Sequence, residues 1–323
     1  MANGILILAE HLKGELSDIT FEMLGAGRKL ADDLRVPLHA AVIGRGADAL
    51  ASRLGMADKV FVVENPELEV PPASTVAMLL KSLIEQKQQA LVLVGGTNLA
   101  TGIGAILSAR AGLPFVSFCH DMRVEDGAIV VTSQLFGGKI HSDVRLADGR
   151  GIVGVYPGAF PAEAGRSDKT PAVETVDLPV AAPEVSFRRF IEPEAGDVDI
   201  TKQDVLVAVG RGIQTQDNIG LAEELAAALG GAVCGSRPVV DQGWLPLTRQ
   251  VGKSGMSVKP RAYLAFGISG APEHWEGMQG SQMVIAINTD PNAPIFDVAQ
   301  YGVCGDALEI LPALTERIKA RKG

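Results

Sequence analysis

Short aliphatic runs alternate with longer amphipathic runs along most of this chain, and the alternation limits the possible folds more than any other feature. The first half has four aliphatic runs of strand length, at residues 5–8, 38–43, 60–63 and 90–94. Apolar side chains recur at helical spacing between them, at residues 14–34, 76–84 and 100–111. Strands that alternate with helices form a mostly parallel sheet covered by helices. The sequence therefore predicts an α/β fold.

The same alternation starts again in the second half of the chain. Aliphatic runs of strand length stand at residues 205–209, 232–234, 262–266 and 283–287. Helical patterns cover residues 219–229 and 308–320, and Gly230-Gly231 ends the first of them. Between the two halves, residues 116–155 have shorter β-like runs, which predict some antiparallel strands. The predicted fold class is α/β with two domains, each a mostly parallel sheet flanked by helices, and the C-terminal one is Rossmann-like.

A proline-rich, charged stretch separates the two alternating regions. It covers residues 159–203 and contains five prolines, at positions 161, 171, 179, 183 and 193. With 323 residues the chain is long enough for two domains. We therefore predict an N-terminal α/β domain at residues 1–190, a linker at 191–204 and a C-terminal domain at 205–323.

Charge and cysteine usage exclude several classes of function. The formal net charge of −9 is unsuited to nucleic-acid binding, which depends on Lys and Arg that neutralise phosphates. No apolar run approaches the ~18 residues of a membrane span, so membrane insertion is not expected. The three cysteines include no C-x-x-C pair, and the histidines lack partners at metal spacing, so no metal site is predicted. The first residues lack a secretory pattern, which predicts a cytoplasmic protein.

Small and polar residues follow each strand candidate of the second half. These loops are Gly210-Arg211-Gly212, 235–238, 267–271 and 288–290. Ligands of open parallel sheets bind beyond the carboxyl ends of the strands, where these loops would meet. Glycine-rich turns before a helix suit phosphate, so residues 269–271 are a candidate phosphate site. The full dinucleotide fingerprint is absent, because Thr215 stands at the position of its third glycine.

Charged and amide side chains in these loops suggest how a nucleotide would be held. Arg211 and Arg237 could offset the charge of a pyrophosphate or of an electron-rich ring. Asn288 and Asp306 suit hydrogen bonds to a ribose or an adenine. The sequence thus predicts a nucleotide-type ligand in the C-terminal domain.

Three runs in the second half resemble the alpha subunits of electron transfer flavoproteins. Residues 250–255, Q-V-G-K-S-G, resemble the family's Q-V-G-Q-T-G. Residues 265–274, A-F-G-I-S-G-A-P-E-H, resemble A-V-G-I-S-G-A-x-Q-H. Residues 285–296, I-A-I-N-T-D-P-N-A-P-I-F, resemble I-V-A-I-N-x-D-x-x-A-P-I-F. The close match covers residues 205–312, and the first half matches more loosely.

The resemblance implies an electron carrier that holds one FAD in its C-terminal domain. It also implies a heterodimer with a smaller beta subunit, which packs with the N-terminal domain and carries AMP or a second FAD. The implied donors are flavin dehydrogenases of the acyl-CoA dehydrogenase type, as in fatty-acid β-oxidation. The implied acceptor is a quinone oxidoreductase or another acceptor.

Matching positions also imply the residues of the FAD site. Arg237 would lie over the flavin ring, Ser254 near flavin N5, and His274 near the N1–C2 edge. These three would tune the flavin rather than act in acid–base catalysis, because positive charge and hydrogen-bond donors stabilise a negatively charged flavin. The implied cofactor-binding residues are Arg211, Ser236, Arg237, Val251, Gly252, Lys253, Ser254, Ser269, Gly270, Ala271, Pro272, Glu273, His274, Asn288, Asp306 and Ala307.

Two positions depart from the family pattern in chemical type. Lys253 and Glu273 replace glutamines, whereas Ser254 replaces a threonine and keeps its hydroxyl. One hypothesis is that Lys253 and Glu273 form an ion pair across the site. A second is that Lys253 faces the flavin, where its charge would favour reduced, anionic forms. A third is that its side chain points to solvent.

Three other functions compete with a conventional electron carrier. A non-redox module could use the same loops to bind an adenine nucleotide, and it would be colourless where a flavoprotein is yellow. A bifurcating, NADH-dependent member of the family would have its deciding nucleotide site mostly on the beta subunit. A self-sufficient flavin enzyme is disfavoured, because the sequence has no evident acid–base pair.

Overall fold

The computed structural model of the protein describes residues 4–146, 148–180, 185–190 and 198–322. The chain divides into two compact units, residues 1–189 and 190–323. Residues 191–197 of the predicted linker lie outside the described residues. The predicted domain limits themselves, 1–190 and 205–323, stay a prediction.

The first unit has a large mixed sheet with helices on its faces. Its helices are α1 (Asp18–Leu34), α2 (Ala47–Ala51), α3 (Ala73–Lys87) and α4 (Ile103–Ala111). Its strands are β1 (Ile5–Leu8), β2 (His11–Leu12), β3 (Glu15–Leu16), β4 (Leu38–Gly44), β5 (Lys59–Glu64), β6 (Leu91–Gly95), β7 (Phe115–Glu125), β8 (Ala128–Leu135), β9 (Ile140–Leu146), β10 (Gly151–Val155) and β11 (Ala172–Thr175).

Parallel pairing dominates this sheet, and antiparallel pairing is confined to one end. Within the described part of the chain the strand order is β11-β5-β4-β1-β6-β10-β7-β8-β9. Strands β7, β8 and β9 pair antiparallel, as the short β-like runs of residues 116–155 predicted. The fully buried β1 lies between β4 and β6 and pairs parallel with both. The α/β prediction is therefore confirmed for this unit.

The predicted helix at residues 14–34 is wrong at its start. Helix α1 begins at Asp18, because the preceding residues form a short antiparallel pair of β2 and β3. The turn between these strands uses positive φ angles at Lys13 (52°) and Gly14 (77°). A left-handed backbone of this kind is easy for glycine and interrupts a helix.

The second unit is a five-stranded parallel sheet. Within residues 198–322 its strands are β12 (Val205–Val209), β13 (Ala232–Gly235), β14 (Ala262–Phe266), β15 (Val284–Asn288) and β16 (Tyr301–Cys304). Its helices are α5 (Ile219–Leu229), α6 (Arg237–Asp241), α7 (Pro272–Met278) and α8 (Ala307–Lys322). The strand order is β13-β12-β14-β15-β16, and every neighbouring pair is parallel. The predicted C-terminal α/β fold is confirmed.

Each face of this second sheet is covered by its own apolar core. Val207, Val209 and Phe266 belong to the core that includes Leu225 of α5 and Leu311 of α8. The alternate side chains of the same strands join the opposite core, which contains Leu206, Ala208, Tyr263 and Met278. A sheet covered on both faces explains why these strands are near-continuous aliphatic runs. Among the described residues, no helix combines the length and the apolar character that crossing a membrane requires.

Candidate cofactor site

The strand order of the second unit creates a crevice at the carboxyl ends of its strands. The first strand, β12, has β13 on one side and β14 on the other, so connections leave it in opposite directions. Loops diverge at such a point, and ligands of open α/β sheets bind there. A cleft of about 680 Å³ lies at this point, lined by residues that follow all five strands.

The loops after β12 and β14 approach each other closely at the cleft, because both have glycine where their backbones touch. The Gly212 N–H donates a hydrogen bond of 3.1 Å to the Gly267 carbonyl. Gly267 has a φ of +63°, and a Cβ atom there would lie 2.5 Å from Gly212 Cα. A side chain would therefore be strained by the backbone angle and would collide with the neighbouring loop.

The segment of residues 250–254 forms one wall of the cleft and is fixed from both sides. The Val251 N–H donates to the Gly235 carbonyl at 2.9 Å, which ties the wall to the end of β13. The Lys253 N–H donates to the Glu273 carbonyl at 2.7 Å, which ties it to α7. Backbone hydrogen bonds thus set the position of the side chains on this wall.

The structure brings nearly all predicted site residues to this one cleft. Two exceptions do not line it: Gly270, whose backbone packs against Ile295, and Pro272, the first residue of α7. The predicted residues that line it are Arg211, Ser236, Arg237, Val251, Gly252, Lys253, Ser254, Ser269, Ala271, Glu273, His274, Asn288, Asp306 and Ala307. Whether they contact a cofactor stays a prediction.

Gln250 was not among the predicted site residues, although it also lines the cleft. Its side chain is buried, 3% exposed, and its amide Nε2 donates to Ser254 Oγ at 3.0 Å. Because this bond uses the oxygen of Ser254 as an acceptor, the serine O–H remains available to donate into the cleft. Gln250 therefore orients the hydroxyl that the family resemblance places near flavin N5.

His274 lies in the wall of the cleft on α7, with its ring 6% exposed. Its Nε2 atom is 2.9 Å from the Tyr263 hydroxyl, whereas Nδ1 has no hydrogen-bond partner among the described residues. Burial lowers the pKa of His274 to about 4, and a weaker interaction with the Val251 backbone offsets part of this effect. At neutral pH the ring is therefore uncharged and carries one N–H.

Two of the three cationic side chains that line the cleft, Arg237 and Lys253, are exposed and paired with acidic residues on nearby helical turns. The Arg237 Nε atom lies 3.3 Å from Asp241, and 68% of the Arg237 side chain is exposed. The Lys253 ammonium lies 3.5 Å from Glu276, and the hypothesis of an ion pair with Glu273 stays a prediction. Glu276 is one helical turn further along α7, and Glu273 offers Lys253 its backbone carbonyl.

Asn288 and Asp306 fix the loops at the far end of the cleft. Asn288 donates through Nδ2 to the Ile268 carbonyl at 2.9 Å, and its Oδ1 accepts from the Asp290 N–H at 2.9 Å. One carboxylate oxygen of Asp306 accepts from the Leu308 N–H at the start of α8, also at 2.9 Å. Both side chains thus hold backbone in place as well as lining the cleft.

These features define a class of protein: an α/β protein that binds a nucleotide-type cofactor at the switch point of a parallel sheet. Residues 199–279 match the family model of the electron transfer flavoprotein FAD-binding domain. Residues 5–181 match the electron transfer flavoprotein domain. The chain belongs to the alpha subunits of the electron transfer flavoproteins, and it is an electron-transfer protein with FAD as its cofactor.

Full-length relatives support this assignment. The chain is 36% identical to the electron transfer flavoprotein subunit alpha of Megasphaera elsdenii, over 99% of this chain and 97% of the relative. It is 34% identical to the protein FixB of Clostridium saccharobutylicum, over 98% and 96%. It is 32% identical to the lactate dehydrogenase (NAD(+),ferredoxin) subunit LctC of Acetobacterium woodii, over 98% and 77%.

The cleft fits FAD in size and in chemistry. Its volume is in the range of pockets that enclose a ligand of this kind. Its walls offer hydroxyls, arginines and exposed backbone at glycine turns, which suit a pyrophosphate and a ribose. The buried Nδ1 atom of His274 lacks a partner that a polar edge of the cofactor would supply.

Proposed function

We propose that this chain holds one FAD in the cleft of its C-terminal unit and carries electrons as the alpha subunit of a heterodimer. The observation that carries the proposal is the convergence of Arg237, Ser254 and His274 on one cleft, together with glycines that follow three of the strands, β12, β14 and β16. These three residues come from three separate segments of the chain. Their meeting at one ligand-sized cleft is what a flavin site requires.

Each part of the cleft has a role in this proposal. Residues 269–271 hold the pyrophosphate with Arg211, and Asn288 and Asp306 hold the ribose or the adenine. Ser254 and His274 donate hydrogen bonds to the ring system, and Arg237 supplies positive charge. FAD supplies the one- and two-electron chemistry when it is bound, and the protein binds it, orients it and excludes water.

The partners follow from the family. A smaller beta subunit that carries AMP or a second FAD packs with the N-terminal unit. Flavin dehydrogenases of the acyl-CoA dehydrogenase type donate electrons in the cytoplasm, and a quinone oxidoreductase or another acceptor receives them. The relatives' names include both conventional electron transfer flavoproteins and an NAD- and ferredoxin-linked lactate dehydrogenase, so a bifurcating member is the second candidate.

An anaerobic reductive titration of this chain, co-expressed with its beta subunit, tests the proposal through visible spectra. One FAD per heterodimer is the expected result for a conventional carrier. Two flavins, one of them reduced by NADH, would identify a bifurcating member. A folded heterodimer without flavin would refute the proposal and favour the colourless adenine-nucleotide module.

A pair of arginine variants tests the placement of the flavin. We expect Arg237→Ala to lower the flavin midpoint potential, because a nearby positive charge favours the reduced, negatively charged cofactor. Arg261→Ala is the matched control, since Arg261 is also exposed on the second unit and does not line the cleft. Equal potentials for the two variants would contradict the placement.

A further inference from the structure

Three buried polar side chains form a row that leads from the core of the second unit to the cleft. Cys234 Sγ lies 3.9 Å from the Tyr263 hydroxyl, which lies 2.9 Å from His274 Nε2. Cys234 and Tyr263 are fully buried, and His274 is nearly so. Only His274 lines the cleft, so Tyr263 can act on a ligand only through the histidine.

Protonation states limit how hydrogens can be arranged along this row. Burial raises the pKa of the Cys234 thiol to about 12 and that of Tyr263 well above its usual range, so both keep their protons. The neutral His274 ring has one N–H and one nitrogen with a free lone pair. Two arrangements remain, because the tyrosine can either donate to His274 or accept from it.

Acceptor strength decides between these arrangements. If His274 donated to Tyr263, the tyrosine hydroxyl would have to donate to Cys234, and a thiol sulfur is a weak acceptor. If Tyr263 donates to His274, its strong O–H donor is matched with the imidazole nitrogen, which is the strongest acceptor of the row. The weak S–H donor then takes the longer contact to the tyrosine oxygen, which agrees with the 3.9 Å separation.

We propose that Tyr263 is a positioning residue for His274. Its hydroxyl donates to Nε2, fixes the neutral ring in the tautomer with the proton on Nδ1, and so keeps an N–H donor for an acceptor atom of the bound cofactor. The opposite tautomer would present a lone pair and would repel an acceptor. The inference deepens the proposed FAD site and rests on it for the identity of the ligand.

The unpartnered Nδ1 atom is the second observation that points to a ligand acceptor. It is buried and has no partner within hydrogen-bond geometry among the described residues, although the Val251 backbone lies close enough to interact weakly with the ring. A buried N–H without a full hydrogen bond is unfavourable, and this cost falls when a cofactor oxygen or nitrogen accepts the bond. A cofactor edge that gains negative charge on reduction would accept it more strongly than a neutral edge.

Nitrogen NMR of the histidines tests the tautomer directly. The full chain, co-produced with its beta subunit and labelled with ¹⁵N at its five histidines, is measured with and without FAD. His274→Gln assigns the signal. We expect a pyridine-type Nε2 and a protonated, pyrrole-type Nδ1 in the wild type, and a shift of the Nδ1–H proton when FAD is added. A protonated Nε2 in the wild type would overturn the proposal.

Substitution of the tyrosine tests its positioning role. We expect Tyr263→Phe to lose the preference for the Nδ1–H tautomer, while Tyr156→Phe, another buried tyrosine, keeps it. We also expect the affinity for reduced FAD relative to oxidised FAD to fall by up to about tenfold, or ~30 mV in the two-electron midpoint potential. An unchanged tautomer and potential in Tyr263→Phe would overturn the positioning role.

The outcomes separate this inference from the proposed function. If the wild type binds no FAD, the FAD site fails whatever the tautomer is. If FAD binds and the proton is on Nε2, only the role of Tyr263 fails. The wild-type NMR spectrum alone shows which ring nitrogen carries the proton. The tautomer is therefore determined even if a variant does not fold.

Discussion

Lowering the pH from 7 to 5 is expected to destabilise the C-terminal unit through one buried group, the His274 imidazole. Its pKa is about 4 in the folded protein, because burial opposes the charged form, and about 6.5 in an unfolded chain. As the pH falls through this window the unfolded state takes up a proton first, so the equilibrium moves toward unfolding. The stability that neutral His274 preserves is thus complete above about pH 6.5 and is lost progressively toward pH 4.

The size of the effect follows from the two pKa values. Linkage between pH 7 and pH 5 gives a loss of about 2 kcal/mol in the free energy of unfolding, and the complete window gives about 3 kcal/mol. No discount for solvent screening applies, since the ring is 6% exposed. Asp199, whose pKa is lowered by its Thr201 hydrogen bond, titrates below this window and does not contribute.

Urea unfolding followed by tryptophan fluorescence measures this loss of stability in the second unit of the chain. The two tryptophans of the chain, Trp244 and Trp275, both belong to the second unit. His274→Gln is the reference protein, because glutamine can still hydrogen-bond to Tyr263 but does not titrate. We expect the wild type to lose about 2 kcal/mol more than this variant between pH 7 and pH 5. Equal losses in the two proteins would show that His274 is not a buried neutral group.

Three further predictions concern the walls of the cleft. Gly267→Ala should lower the stability of the second unit by at least ~2 kcal/mol, because Gly267 has a positive φ and packs against Gly212. In the control Gly220→Ala the added methyl group meets open space, so this variant should be neutral or stabilising in the same urea assay. Gln250→Leu should weaken FAD binding by about tenfold in a flavin-fluorescence titration, because Ser254 loses the bond that orients it; an unchanged affinity would contradict this role. Lys253→Gln should shift the flavin midpoint potential by less than ~30 mV, because Glu276 already pairs with the Lys253 ammonium. Glu276→Gln should raise the potential, because it frees that positive charge. A large drop in the potential of Lys253→Gln would instead place Lys253 at the flavin.

Most of the fold could be predicted because buried parallel strands are continuous aliphatic runs. Strand β16 was missed for the opposite reason: its four residues, Tyr301–Cys304, are all exposed, and a glycine interrupts their pattern. Its position became evident only from its pairing with β15. The start of α1 was misplaced because the hairpin before it is set by the turn at Lys13 and Gly14 rather than by periodicity.

The sequence predicted those site residues that directly follow strands. It did not predict the residues that act by positioning another side chain. The loops after β12 to β15 were identified, because ligand positions in parallel sheets are fixed by topology. The roles of Gln250 and Tyr263 were not, since each depends on a side-chain partner that only the folded chain brings near. A signal did exist for Tyr263: a tyrosine inside a buried strand needs a partner for its hydroxyl.

Different residues supply positive charge and a directed hydrogen bond to the cleft, and their burial explains which residue supplies which. Arg237 and Lys253 keep their charges at little cost because both are largely exposed, but solvent and salt weaken their field at the cofactor. The His274 ring is buried and neutral, so it provides a directed hydrogen bond that salt does not screen. Raising the ionic strength should therefore reduce the difference in potential between wild type and Arg237→Ala, and should leave the difference between wild type and Tyr263→Phe unchanged.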